Sequence, residues 1–203
     1  MPTQKSFFKA SLLLIFILSF SACSNNDKKV TDYELQYVMW KLGDGDGVEY
    51  LEKEIKPIDY TNPTAESIYV SFSESDQVEE TSQFFIKDPT LLNTIKENYL
   101  EVPITNEESI LNDDFGYLVG NFKAPFDANE NILPPTVVAT SKLELAPNTK
   151  VAINGIIKLK KITASYKAIL KEANSQNVIE VEGKWTGVFH NGCDITYTTL
   201  PMK

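Results

Sequence analysis

One run of alternating side chains constrains this chain more than any other feature. Val151, Ile153, Ile157 and Leu159 hold one parity, and Ile162, Ala164, Tyr166, Ala168 and Leu170 hold the other. A period of two marks a strand with one buried face. The change of parity near Lys160-Lys161 predicts a bulge or bend that re-aims that face. Glu172 to Gln176 read as a turn. Ile179, Val181, Trp185 and Phe189 read as the return strand, interrupted by Gly183 and Gly187, with Ile195 and Tyr197 closing the domain. Residues 150–171 should therefore pair antiparallel with residues 177–190, and the chain must build its core around that pair.

Upstream segments carry weaker versions of the same signal. Tyr33, Leu35, Tyr37 and Met39 alternate with polar residues, after which Val38, Trp40 and Leu42 make the other face apolar. Gly43-Asp44-Gly45-Asp46-Gly47 breaks the run, and residues 48–60 resume extended character, with Pro57 confining them to an edge. This reads as a β-hairpin around a glycine-rich turn. Ile68, Val70 and Phe72 form a half-buried strand, and Phe84-Phe85-Ile86 end another. Asp88-Pro89 is an N-cap followed by proline at the first helical position. Leu91, Leu92, Ile95 and Tyr99 then recur at helical spacing, which predicts a short amphipathic helix over 89–99. Thr105 and Glu108 form a capping box for one further turn. Residues 112–135 are loop-like.

Composition excludes several function classes. The chain has 203 residues, no arginine and a formal net charge of −9. A nucleic-acid partner requires a basic stripe, and none is present. The basic cluster Lys158, Lys160 and Lys161 reads as an exposed strand end. His190 is the only histidine and stands three residues from Cys193; two potential ligands do not complete a metal site. Cys193 itself reads as a small buried filler. Asp44, Asp46 and Glu49 do not fit a calcium loop, because Val48 and Glu49 fall where an acid and a glycine are required. Asp113-Asp114, Glu107-Glu108 and Glu79-Glu80 are adjacent acids of the kind that mark solvated surface. No cofactor, metal site or catalytic constellation is expected, and the chain reads as a non-enzyme.

The N-terminus carries its own message. Lys5 and Lys9 precede an apolar run from Leu12 to Phe20, and Ser21-Ala22 lead to Cys23. The apolar stretch is shorter than the ~20 residues a membrane span needs. A basic start, a short apolar stretch and small residues before a cut describe an export signal. Ending it on cysteine resembles the lipobox of bacterial lipoproteins. The resemblance implies lipidation of Cys23, removal of residues 1–22 and a location at the bacterial cell envelope, expected at the outer membrane with its face left open. The mature chain would hold 17 basic and 28 acidic residues, a formal charge of −11. Residues 23–29 read as a polar tether and 30–203 as a single β-rich domain.

Three segments resemble a second family. Ala146-Pro147-Asn148-Thr149-Lys150-Val151, running into the long strand, and Gly183-Lys184-Trp185-Thr186-Gly187-Val188 on the return strand are similar to stretches of aerolysin-like β-pore-forming toxins of the epsilon-toxin and mosquitocidal-toxin branch. Asn62-Pro63-Thr64, followed by a serine-rich strand, resembles that family's earlier "Asn-x-Thr" strand. The resemblance implies a mainly β fold, an elongated antiparallel sheet or sandwich domain of aerolysin-like type, with one or two short helices in the 88–111 insertion. It also implies an amphipathic hairpin that unfolds into a transmembrane barrel. Between Ile86 and Val137 this sequence shows a helix signal, prolines and acidic turns instead of two long alternating strands.

Three functions follow as expectations. The first is a lipid-anchored binding or adaptor module with a protein or glycan partner, for which Trp40, Tyr50, Tyr60, Tyr69 and Trp185 are the aromatic candidates; Trp40 and Trp185 read more readily as core. The second is a membrane-acting, aerolysin-like protein or a relative of one, with oligomers expected on that reading alone. An enzyme is the third, and the one with least behind it.

Overall fold

The computed structural model describes residues 32–73, 75–118, 122–136 and 140–202. The expected signal, Cys23, the tether and Val30 lie outside the described residues. Residues from Asp32 onward form one compact unit.

The fold is mainly β, and every strand pair is antiparallel. Its spine is a hairpin of two 24-residue strands, β10 (Thr149–Glu172) and β11 (Val178–Pro201). At about 3.3 Å per residue each strand extends roughly 80 Å. The pairing runs from Lys171↔Val178 to Thr149↔Pro201, as the alternation predicts. Gly183 and Gly187 do not interrupt β11, which passes straight through both. A Cβ on Gly183 would sit 1.9 Å from the Phe85 carbonyl oxygen, and one on Gly187 would meet the rings of Trp185 and Phe189. These glycines exist to let neighbours approach.

The other edge of β10 holds the largest departure from the sequence reading. β1 (Tyr33–Lys41), β2 (Gly47–Glu54) and β3 (Ile58–Asn62) all pair with β10, one after another and in the same direction. Residues 33–62 are thus one interrupted strand, not a hairpin. Lys41 faces Ser165 and Gly47 faces Thr163, so residues 42–46 bulge out opposite Ala164. A glycine- and aspartate-rich segment can loop out of a ladder as readily as it can reverse one. Beyond β11 lie β5 (Glu80–Ile86) and β8 (Asn131–Leu133), completing the main sheet.

The change of parity in β10 separates two cores. Ile162, Ala164, Tyr166, Ala168 and Leu170 belong to the larger one, with Trp40, Phe84, Trp185 and Phe189. Val151, Ile153 and Ile157 belong to the smaller, with Ile55, Phe72 and Leu145. The odd and even positions of a strand point to opposite faces, so the two cores lie on opposite sides of the same sheet. The bulge sits on β11, where Asn191 and Gly192 stand against Lys158 alone and Gly192 takes φ +122°. It lets β11 keep its odd residues inward on both sides of the switch. Lys158, Lys160 and Lys161 are consequently mid-strand, not at a strand end; Lys158 pairs with Asp194 at 2.7 Å and Lys161 with Glu49 at 3.8 Å.

Each core has its own cover. The smaller one is closed by the two-stranded sheet of β4 (Ile68–Ser73) and β9 (Thr140–Leu145). The larger is closed by the segment after β5, which holds α1 (Leu92–Asn98), β6 (Glu101–Ile104) and β7 (Phe122–Pro125). The predicted helix appears as a 3-10 turn at 89–91 leading into α1, with Asp88 accepting from the Thr90 amide at 2.9 Å. Hydrogen bonds from the Thr90 hydroxyl, at 2.7 Å, and then from this amide lower the Asp88 carboxyl below its ordinary value. The capping box does not form: Thr105 Oγ1 accepts from the Glu107 amide at 2.9 Å, and a single 3-10 turn follows at Glu108–Ile110. The loop-like stretch 112–135 contains β7, β8 and an antiparallel bridge between Gly116 and Trp40.

Two of the quoted sequence motifs meet in space. Asn62 is buried, and its Nδ2 donates to the carbonyls of Glu66 (2.7 Å), Leu145 (3.0 Å) and Ala146 (3.0 Å). Its Oδ1 accepts from the Thr64 amide and hydroxyl. The Asn148 amide donates to the Thr64 carbonyl at 3.2 Å, with Asn148 at φ +53°. A buried amide with all its partners fixes the start of β10 against the end of β3.

Candidate functional site

The residues singled out in the sequence do not converge. Trp40 and Trp185 are buried in the larger core, and the Trp185 indole donates to Ser82 Oγ at 2.9 Å. Tyr60 donates to the Ser71 carbonyl at 2.8 Å. Tyr50 and Tyr69 are 63% and 72% exposed but belong to different strands and sheets. The Glu108 carboxylate beside the Tyr50 hydroxyl raises that phenol above its ordinary value. Cys193 is half-buried beside the smaller core. His190 has a buried Nε2 with no hydrogen-bond partner among the described residues. Among the described residues no three metal-ligating side chains gather.

One pair of adjacent acids departs from expectation. Glu80 is 2% exposed, not solvated. Its carboxylate accepts from the Thr136 amide (2.8 Å), the Thr136 hydroxyl (2.7 Å) and the His190 amide (3.0 Å). The ladder between β5 and β11 ends at Thr81↔Val188, just before the β11 bulge, and the carboxylate takes over as acceptor for the next donor.

The glycine-rich loop is also occupied from within. Asp46, whose side chain is fully covered, accepts from the Gly43 amide (2.7 Å), the Ser165 hydroxyl (2.7 Å) and Lys184 Nζ (2.9 Å). Lys184 also donates to the Asp44 carbonyl at 2.7 Å. Burial by itself would raise the Asp46 carboxyl; the hydrogen bonds from Lys184, Ser165 and Gly43 outweigh it and hold the carboxyl below its ordinary value. An ammonium stands where a calcium ion would need further oxygens.

The surface that does gather chemistry-bearing side chains is the open face of the main sheet, opposite the larger core. The register sets Lys41, Ser165, Lys184 and Phe85 in one row across β1, β10, β11 and β5. The Gly116 bridge adds a fifth segment outside β1 and brings Phe115 beside Lys41, whose Nζ lies 4.6 Å from the ring centroid. Tyr117 meets Tyr37 edge-on at 5.9 Å. A groove of about 600 Å³ runs between Phe115 and Phe85, with Thr163, Ser165 and Thr186 among its lining. Lys167, in the next row, bonds Glu180 (2.8 Å) and Glu182 (3.2 Å), and Glu182 also meets Lys87 at 3.4 Å. Hydrogen bonding to Glu180 and then Glu182 raises Lys167, and hydrogen bonding from Lys167 and then Lys87 lowers Glu182. Local sequence gave no signal for this site: Phe115 sits in an apparent loop and Phe85 at a strand end.

No family model and no curated protein matches the chain. Among solved structures, the chain resembles a lamprey immune protein at 15% identity and a TM-score of 0.45, over 83% of this chain and 53% of that one. It thus spans about half the length of the lamprey protein. Parasporin-2 of Bacillus thuringiensis, a toxin that recognises cancer cells, matches at 10% identity and 0.36, over 84% and 75% of the two chains. An aerolysin-like protein of Bombina maxima matches at 10% identity and 0.30, over 85% and 99%. Likenesses of this size leave function open.

Proposed function

We propose that this chain is a lipid-anchored cell-envelope protein whose β-domain is a non-enzymatic binding or adaptor module on an aerolysin-like scaffold. The anchor rests on Cys23 and the export signal before it, and the scaffold on the three strand motifs. The binding role rests on one observation: Tyr37, Phe85, Phe115 and Tyr117 stand exposed on a sheet face that the larger core stiffens from behind. Rigid aromatic side chains at a surface supply contact area at little entropic expense.

The membrane-acting reading has less support. A barrel strand needs about 9–11 residues, and the described strands between residues 88 and 135 have four, four and three. No helix among the described residues is long and apolar enough to cross a bilayer.

The anchor and the role are tested separately. Cys23→Ser should move the protein from the membrane pellet to the soluble fraction, because several acyl chains at ~0.8 kcal/mol per buried methylene hold a domain that one chain would not. Intact-mass measurement of native protein with a bare N-terminus would overturn the anchor. Leakage of dye-loaded liposomes, together with detergent-resistant oligomers, would replace the module with the membrane-acting reading.

A further inference from the structure

We propose that the groove between Phe115 and Phe85 binds an amphipathic anion: a small molecule with a flat or apolar body and a carboxylate, sulfonate or phosphate head. The inference deepens the binding-module reading and rests on it.

Charge is the first argument. The chain carries −9 overall, yet four ammonium groups collect at this groove, those of Lys41, Lys87, Lys167 and Lys184, against the carboxylates of Glu180, Glu182 and Asp46. Lys184 is held by Asp46, and Lys167 by both glutamates. Lys41 has no carboxylate within salt-bridge distance among the described residues and lies instead over the Phe115 ring. Asp113 and Asp114 precede Phe115 in sequence but do not line the groove. The groove is therefore locally basic on an acidic protein, with one ammonium uncommitted.

Shape and apolar surface come next. Phe115 and Phe85 are 39% and 50% exposed and wall the two ends of a row that spans five adjacent segments. The volume, about 600 Å³, falls within the roughly 300–1,000 Å³ of small-molecule sites. The hydroxyls of Thr163 and Thr186, in the floor, make no hydrogen bond among the described residues.

The test uses the full chain carrying Cys23→Ser and two matched probes. 1-Anilinonaphthalene-8-sulfonate carries the anionic head, and N-phenyl-1-naphthylamine is the same ring system without it. The sulfonate probe should bind more tightly than the neutral one by about fivefold, the scale of one or two partly exposed charge contacts. Lys41→Glu should abolish that preference. Phe85→Ser with Phe115→Ser should weaken both probes. Equal binding of both probes, or binding unchanged in the Phe85/Phe115 variant, overturns the proposal. Because these substitutions leave the N-terminus untouched, their failure alongside normal membrane partitioning of the unsubstituted chain would remove the groove and keep the anchored module. Loss of partitioning evidence with probe selectivity intact would do the reverse.

Discussion

Gly183→Ala is the sharpest test of how the main sheet is assembled. The added methyl would lie 1.9 Å from the Phe85 carbonyl oxygen, 2.7 Å from Tyr166 Oη and 2.9 Å from the Phe85 carbonyl carbon. Two of these neighbours are backbone, which cannot rotate away. Strand β5 must retreat by roughly 1.5 Å to restore ordinary contact. That retreat stretches the ladder at Gly183↔Ile86 and Lys184↔Phe85, and it pulls Ser82 from the Trp185 indole. Overpacking costs about 1–3 kcal/mol, and each hydrogen bond lost adds about 1 kcal/mol. Alanine recovers about 0.4–1 kcal/mol by restricting the unfolded chain. The net loss is about 3 kcal/mol, or roughly 6–12 °C in melting temperature at this size. Urea unfolding followed by tryptophan fluorescence measures it directly. Gly116→Ala is the control, since nothing among the described residues lies within 4 Å of its Cβ position; it should stay within about 0.5 kcal/mol of the parent. A Gly183→Ala midpoint matching the parent at an unchanged denaturant slope would refute the packing argument.

The remaining predictions concern two buried carboxylates. Asp46 has a folded pKa below its unfolded value, so its contribution is complete above the unfolded value near 4 and is lost as pH falls through the lower, folded one. Asp46→Asn should therefore cost about 1–2 kcal/mol at neutral pH, little of it from the half-exposed Lys184 ammonium, and the gap to the parent should close as pH falls below the ordinary carboxylate range in urea titrations; a gap independent of pH would contradict the arrangement. Glu80→Gln turns an amide donor toward either the Thr136 amide or the His190 amide. It should destabilise by about 2–3 kcal/mol in the same assay, and a neutral result would show that the carboxylate is not what holds the end of β5.

The strands were readable where burial followed a local rhythm and unreadable where a distant partner decided the outcome. The β10 alternation and its change of parity carry the hairpin and the two cores, because a strand buried on one face must repeat every second residue. Even the β1 switch from Tyr33 and Leu35 to Val38 and Trp40 is written in the residues, and the register shift between Leu35 and Tyr37 is its physical form. Residues 43–47 read as a reversal because glycine and aspartate serve a turn and a bulge alike. What selects the bulge is Ser165, which bonds Asp46 across 119 residues of sequence. The burial of Glu80 is hidden in the local sequence for the same reason: its partners, Thr136 and His190, lie 56 and 110 residues away. The open-face groove is the extreme case. Its row is assembled from Lys41, Ser165, Lys184 and Phe85 on four strands, with Phe115 added through a single bridge at Gly116. Each of these residues is unremarked in its own segment, and only the register places them side by side. A register slip of one residue sends each side chain of the slipped strand to the opposite face. The devices that lock this register, namely the Gly183 contact, the Asp46 loop and the Glu80 acceptor, therefore also determine whether the groove exists. Substitutions at those positions should alter probe binding in proportion to their effect on the sheet, whereas Lys41→Glu should alter probe selectivity at constant stability.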